Sequence, residues 1–332
     1  MKLKSIFGGF AALLIFAAMA AAQNPAYRIS APYSHKNLTI YLIHGKDETS
    51  KTNILTLQEA MERKILRVYE TSDVNELAVE NVSKYFDVFI QSGDIVKGGK
   101  QDRILAVSII IAARSGRIKI EAFCVESGRW QKRGNEDTIQ FSSSNDRIVS
   151  KELKLAANGD RSQQEVWDKV SEAQDKLSKN VGTRVASSSS SLQLSLENGK
   201  VAATADEYVR KLSNLIDGRS DVIGYAFAIN GQINSADVYV SNALFKKLWP
   251  RMLKAAAVEA VAENDGRRVS APAAKPDEVK AFMSDADRGR AEERAASGSA
   301  RIVTRDQKDS AVYEARDDKS KTVVHRAYVK KQ

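Results

Sequence analysis

Two apolar runs, Val222–Ile229 and Gln232–Val240, meet at the dipeptide Asn230-Gly231. Asn-Gly tolerates the positive φ angles of a type I′ turn, whose twist suits two antiparallel strands, so the pair specifies a β-hairpin. A chain carrying this hairpin must extend a sheet around it and cover the sheet with other elements. The first half supplies strands. Leu38-Thr-Ile-Tyr-Leu-Ile43 reads as a strand, because Leu38, Ile40 and Leu42 share a face. Residues 56–64 read as a short helix and 65–70 as a strand after it. Ile104–Ala112 is β-branched and almost unbroken, as in a strand covered on both faces. Ile118–Val125 alternates, with Ile118, Ile120, Ala122 and Cys124 on one side, and Ala113–Arg117 reads as the turn joining the two.

The second half supplies helices. Ser162-Gln-Gln-Glu165 is a capping-box sequence, followed by Val166, Trp167, Val170, Ala173 and Leu177 at helical spacing and a stop at Gly182. Thr204-Ala-Asp-Glu207 opens a second such helix, with Tyr208, Leu212, Leu215 and Ile216 inward and Gly218 ending it. Between them the run Ser187–Ser191 reads as a flexible loop. Ser241 caps a third helix carrying Leu244, Phe245, Leu248 and Leu253. Pro250 inside it deletes one helical hydrogen bond, which predicts a kink or break near Trp249. Beyond Asn264 the composition shifts to a linker, Ala271–Pro276, then to a charged, Ala-rich stretch. Three short alternating runs around Ile302, Val312 and Val323 follow, and either form a small meander or complete the main sheet. The expected fold is α+β: an antiparallel or mixed β-sheet core with two to three packed helices, plus a charged C-terminal extension. The division expected is 1–22 as signal peptide, 23–263 as a single α+β domain, 264–300 as a charged linker or partly disordered helix, and 301–332 as short β segments.

Lys2 and Lys4 precede an apolar run from Ile6 to Ala22, and Ala20-Ala21-Ala22 supplies small residues for signal cleavage before Gln23. An uncleaved anchor is the competing reading, but the run falls short of the roughly 20 apolar residues that span a bilayer. A lipoprotein would need a Cys directly after the run, and the only Cys is Cys124. The chain is therefore expected to be exported, periplasmic or secreted, with no stable membrane insertion after cleavage. Its 51 Lys+Arg and 42 Asp+Glu give a net charge of +9, and loss of two lysines leaves 9 − 2 = +7. Acidic residues are interspersed throughout, and no compact basic run interleaves with aromatics, so no nucleic-acid partner is expected. One Cys excludes a disulfide framework, and three His, at 35, 44 and 325, leave little material for a metal centre. The histidines read as surface or capping residues, and neither metal nor cofactor is called for.

Two motifs concentrate polar chemistry. Gly93-Asp-Ile-Val-Lys-Gly-Gly-Lys-Gln-Asp-Arg103 superficially suggests a phosphate-binding loop. The register fails, because Asp94 stands where the first glycine belongs and Gln101 where a Ser or Thr would hold Mg²⁺. What it still offers is an anion site from Lys97, Lys100 and Arg103 with the amides of Gly98 and Gly99, and Asp102 beside them. Cys124-Val-Glu-Ser-Gly-Arg-Trp130 adds Glu126, a fork donor in Arg129 and a stacking surface in Trp130. Cys124 is in phase with Ile118 and Ile120 and reads as a buried small hydrophobe. Asp237 is in phase with Ile233 and Tyr239. A carboxylate there is costly unless paired, which places it at the sheet rim or bonded to an Arg or Lys.

In chain order these motifs, with Val166-Trp167, Ala228-Ile-Asn-Gly231, Ala236-Asp237 and Leu244-Phe-Lys-Lys-Leu-Trp-Pro250, resemble the ARG-and-rhodanese-phosphatase-superfamily-associated protein domain. The resemblance covers roughly residues 36–263. The chain departs from the pattern at Asp94, where Glu is usual, and at Ser127, where Gln is. The resemblance implies no established activity: the family is named for proteins it accompanies, and their phosphatase chemistry does not transfer. Two functions are expected from the residues. The first is an exported accessory or binding protein recognising an anionic small molecule or a protein partner through Lys97, Gly98, Gly99, Lys100, Asp102, Arg103, Glu126, Arg129 and Trp130. The alternative is a metal-independent hydrolase-type enzyme with Asp94 or Glu126 as acid/base and Lys100 with Arg129 stabilising negative charge. That alternative requires these groups to share a cavity.

Overall fold

A computed structural model describes residues 27–126, 139–147, 150–185, 191–266, 272–298 and 300–331. The hairpin forms as its sequence dictates: Val222–Ile229 pairs with Gln232–Tyr239, and Asn230 and Gly231 take φ of 53° and 80°. Around it grows a nine-stranded antiparallel sheet. Leu38–His44 pairs on one side and carries Arg28–Ile29 and Tyr33–His35. On the other side follow Thr322–Lys330, Ser310–Asp317, Ala300–Asp306 and Arg290–Ala295. A six-stranded antiparallel sheet and a three-stranded mixed one complete the β structure. The α+β class stands, with seven α-helices among the described residues where the sequence reading counted two or three. Besides Leu57–Glu62, the short helix read at 56–64, they include the short capped segments Lys151–Leu155 and Leu192–Leu196, together with Pro276–Asp287.

The large sheet is covered on both faces. Leu38, Ile40, Leu42, Tyr225, Phe227 and Tyr239 bury against the helices Gln163–Val181, Gly199–Leu212 and Asn242–Ala262. On the opposite face Tyr41, Ile43, Ala226, Ala236 and Val238 lie under Val279, Phe282 and Met283 of Pro276–Asp287. A second core joins the smaller sheets to Ala300, Ile302 and Ala315 of the C-terminal strands.

Helix ends follow local chemistry. Ser162 and Ser241 accept from the N–H groups of Glu165 and Leu244, and Gly182 closes its helix with φ 65°. The helix read from Thr204-Glu207 starts earlier, at Gly199, because Asn198 accepts from the N–H groups of Lys200 and Val201. Thr204 lies inside it and donates its hydroxyl to the Lys200 carbonyl at 2.7 Å. Asn242–Ala262 runs through Pro250 without a break, buried along most of its length, so packing outweighs the one lost bond. Residues 186–190 of the serine run lie outside the described residues, and Ser191 caps Leu192–Leu196. No described helix is long and apolar enough to cross a membrane.

The largest departure from the sequence reading is at Ile104–Ala112. Instead of one strand hairpinned to Ile118–Val125, the run splits into Arg103–Leu105 and Ile109–Ile111. The first pairs with Gly116–Cys124 in the six-stranded sheet, and the second with Asp87–Ile90 in the three-stranded one. Ala106–Ser108 bridge the two sheets in irregular backbone.

Candidate functional site

Ser108 ends that bridge, buried, where the smaller sheets meet the large one. Its hydroxyl oxygen lies 3.0 Å from His325 Nδ1. His325 Nε2 in turn lies 2.9 Å from Asp237 Oδ1. The last two come from neighbouring strands: Asp237 sits opposite Ala327, so His325 is its diagonal neighbour on the same sheet face. Burial pushes the Asp237 carboxyl up, but the His325 hydrogen bond and the charges of Lys154, His325 and Arg147 outweigh it and hold it below its ordinary value. An ionised carboxylate only accepts, so a proton sits on His325 Nε2, and whenever the ring gives up its second proton Nδ1 is free to accept from Ser108. The result is a relay from Ser108 hydroxyl to imidazole to carboxylate, the functional order of a catalytic triad with the two ring nitrogens exchanged.

The surroundings fix each member. Tyr239 stacks on the His325 ring at 4.8 Å and 20°, and Phe89 meets it edge-on at 6.1 Å. A turn over Gln91–Asp94 forms one wall. Gly93, at φ 91°, lets the chain reverse and donates to the Leu105 carbonyl at 2.7 Å. From this turn Ser92 N–H donates to Ser108 Oγ at 3.0 Å, Ser92 Oγ donates to Asn158 Oδ1 at 2.7 Å, and Gln91 Nε2 donates to the Tyr239 hydroxyl at 2.8 Å. Asp94 and Arg147 clamp it from behind: Asp94 Oδ2 accepts from Gln91 N–H at 3.0 Å, and Arg147 Nη2 donates to the Ser92 carbonyl at 2.6 Å. Arg251 pairs with Asp94 at 3.2 Å. Burial works against the Arg147 charge, but Asp94 and the neighbouring Tyr239 and Asp237 outweigh it and raise its pKa.

A cavity of about 20 Å³ lies against Ser108 and His325, walled by Ser92, Asn158, Arg294 and Tyr313 among others. It is water-sized and mostly apolar in lining, with polar groups of Ser92, Ser108, Asn158 and His325 at its wall. Asn158 reaches it from a π-helical turn, Ala156–Asp160, a distortion frequent at functional sites. Beyond Tyr313 opens a larger cleft of about 620 Å³.

The motif residues singled out in the sequence lie elsewhere. Arg103 and Cys124 face each other across adjacent strands, so the two motifs are neighbours. The anion held at the glycine turn is the protein's own Glu70, which accepts from Arg103 Nη2 at 3.3 Å and from the Lys100 N–H at 3.4 Å. Lys100 Nζ donates to Ser72 Oγ at 3.2 Å, and Lys97 pairs with Glu197 at 3.0 Å. Asp102 accepts from the Gly98 N–H at 3.1 Å, and Gly99 takes φ 57° against Phe141 and Glu70. Glu126 is buried, and Arg129 and Trp130 lie outside the described residues. Asp94 is level with Ala122 across the sheet, whereas Glu126 lies past the end of the strand Gly116–Cys124. Cys124 is buried, and burial, only partly offset by Arg103, raises its thiol to about 11.

His325 and His44 correct the reading of surface histidines. His325 is buried at the centre of the large sheet, and His44 is buried beside Asp221 at 3.0 Å. Asp237 is bonded to His325 rather than to an Arg or Lys at a rim, because Thr322–Lys330 covers its strand. The sequence signal for the relay was the carboxylate on an apolar strand face, and nothing in spacing linked it to Ser108 or His325.

A model of the ARG and Rhodanese-Phosphatase-superfamily-associated Protein domain matches residues 26–329. The chain belongs to this family. The match runs through the C-terminal strands, beyond the segment on which the resemblance was recognised, and so spans all three members of the relay. No curated protein and no solved structure matches the chain. Within the family domain no described cluster of His, Cys, Asp or Glu is arranged to hold a metal ion.

Proposed function

We propose that the chain is a metal-independent hydrolase in which Ser108 is the nucleophile, His325 the general base and acid, and Asp237 the group that orients and charges the imidazole. The observation that carries this reading is the continuous Ser108–His325–Asp237 hydrogen-bonded relay beside a cavity. Ser108 Oγ forms a bond to the acyl carbon of an ester or amide while its proton passes to His325 Nδ1. The bond from that carbon to the leaving group then breaks, and His325 returns the proton to the leaving oxygen or nitrogen. Water, activated by the same imidazole, cleaves the acyl-serine and restores the hydroxyl. Asp237, held ionised, keeps Nε2 protonated throughout, so Nδ1 is always the basic nitrogen.

The test is covalent labelling of the folded protein with a fluorophosphonate, located by mass spectrometry. One adduct at Ser108 is expected, absent in Ser108→Ala and slowed at least tenfold in His325→Gln, in keeping with the 10²–10⁴-fold worth of general-base help. A rate that His325→Gln leaves unchanged would sink the reading. So would the absence of an adduct both in the parent and in a chain whose cavity wall is opened by Tyr313→Ala; the relay is then a buried structural network, and a binding role gains. Export is part of the proposal, supported by Lys2, Lys4, the apolar run and the small residues before Gln23, with the family match beginning shortly after. A periplasmic or secreted product whose intact mass begins at Gln23 is expected, and a full-length cytoplasmic product refutes it.

A further inference from the structure

Resting on that hydrolase reading, we infer that the cleft outside Tyr313 is the substrate site, that it selects acyl compounds bearing an ammonium group, and that Tyr313 is the gate between cleft and nucleophile. The C-terminal strands present one continuous pleated face. Across it, the row His325, Ala315, Ile302, Arg294 adjoins the row Ala327, Tyr313, Thr304, Glu292, and next comes Ala311, Asp306, Arg290. The first row, with Ala327 and Tyr313, walls the small cavity; Tyr313, Thr304, Glu292, Asp306 and Arg290 floor the cleft, and Tyr313 is the one residue that lines both. Alanines at 315 and 327 beside His325 leave the inner space open, and the Tyr313 ring closes it.

The gate is built to move. Among the described residues the Tyr313 hydroxyl makes no hydrogen bond, so rotating the ring breaks none. It rests against the π-turn only because position 159 is glycine: a Cβ there would stand 2.9 Å from the phenolic oxygen. The cleft's size, about 620 Å³, suits a small molecule. Its charged lining is Asp160, Glu292 and Asp306 against Arg290 and Lys331, hence 2 − 3 = −1. Lys331 is drawn to Asp306 at 2.5 Å, which leaves Asp160 and Glu292 against a single Arg290. A cleft with that balance favours a positively charged group on the ligand.

The experiment compares two fluorophosphonates, one with a trimethylammonium-alkyl tail and one with a carboxylate tail, on four chains: the parent, Tyr313→Ala, Gly159→Ala and Asp160→Asn/Glu292→Gln. The cationic probe is expected to label Ser108 of the parent about tenfold faster than the anionic one, the size of one or two screened charge contacts. The double variant should abolish that preference, read as the ratio of the cationic to the anionic labelling rate. Tyr313→Ala and Gly159→Ala should each speed labelling by every probe, the second by displacing the phenol should the first fail to fold. Equal rates for both tails, or an unchanged rate in both gate variants, overturn the inference while leaving Ser108 a nucleophile. No adduct at Ser108 in any chain overturns the hydrolase reading itself.

Discussion

Glu259 carries its carboxylate into the contact between the helix Asn242–Ala262 and the sheet, where Oε1 accepts from the Lys151 N–H at 2.9 Å and from Asn234 Nδ2 at 2.8 Å. Burial, only partly offset by the charge of Lys154 and these hydrogen bonds, raises its pKa to about 7. The folded state thus holds this proton more tightly than the unfolded chain, whose ordinary value is 4.5. The group's contribution to stability is complete below that value and is lost as pH rises through 7. At about 1.4 kcal/mol per pKa unit the loss amounts to about 3–4 kcal/mol. Glu259→Gln retains the oxygen that accepts both bonds and removes the titration. The variant should therefore be more stable than the parent at pH 8, with the gap closing towards pH 5, in urea unfolding monitored across that range. Parallel profiles would show that the carboxylate does not titrate there. Residues of this kind divide by how local their cause is. Cys124 was legible as buried because its phase with Ile120 is set within one strand. His325 was not, since the groups that bury it stand 88 and 217 residues away in sequence.

The same contrast holds for elements. Segments whose ends are written in their own residues form where the sequence places them: the Asn230-Gly231 hairpin, the helix after Ser162, the strand from Leu38. Ile104–Ala112 does not, because an unbroken apolar run satisfies one long strand or two short ones equally well, and partners decide. The partner here is the six-stranded sheet, which holds Arg103 through Glu70. Both side chains are almost wholly buried, at 0% and 5% exposure, and Arg103 Nη1 also donates to the Val74 carbonyl at 2.7 Å. Removing one member of such a pair strands the other charge, at a cost of about 3–5 kcal/mol. Arg103→Met should show that loss in urea denaturation, and Glu70→Gln in the same chain should recover a large part of it. A loss under about 1 kcal/mol, within the range of exposed pairs, would mean that Glu70 is hydrated. The glycine turn is on this account a device that docks a hairpin onto Glu70, and Asp94 at the hairpin's other end ties the same element to the Ser108 site through the turn at Gln91–Ser92.

At the scale of the molecule, the residues after Asn264 serve the core directly. Thr322–Lys330 pairs with the central hairpin from Ser235 to Tyr239, and three more strands extend the sheet from it. Pro276–Asp287 covers the face formed by Tyr41, Ile43, Ala226 and Val238, while Ile302 and Ala315 close the core of the smaller sheets. The runs around Ile302, Val312 and Val323 complete the main sheet, one of the two outcomes their alternation allowed; composition hid the part before them, because the edge strand Arg290–Ala295 is charged and exposed, as unpaired edges must be. Helix 276–287 likewise shows the solvent a polar side and the sheet only Val279, Phe282, Met283 and Ala286. A chain ending at Glu263 would leave Ser235–Tyr239 as an unpaired edge and uncover the sheet face that Pro276–Asp287 covers. It would also lose His325. Such a truncation should give no sigmoidal urea transition, no near-ultraviolet circular dichroism and strong binding of a hydrophobic dye, the marks of a collapsed chain without fixed packing. A cooperative transition in the truncated chain would instead make the C-terminal strands a separable layer. The relay would then be assembled across a docking surface, and Ser108 labelling would be restored by adding residues 264–332 as a separate chain.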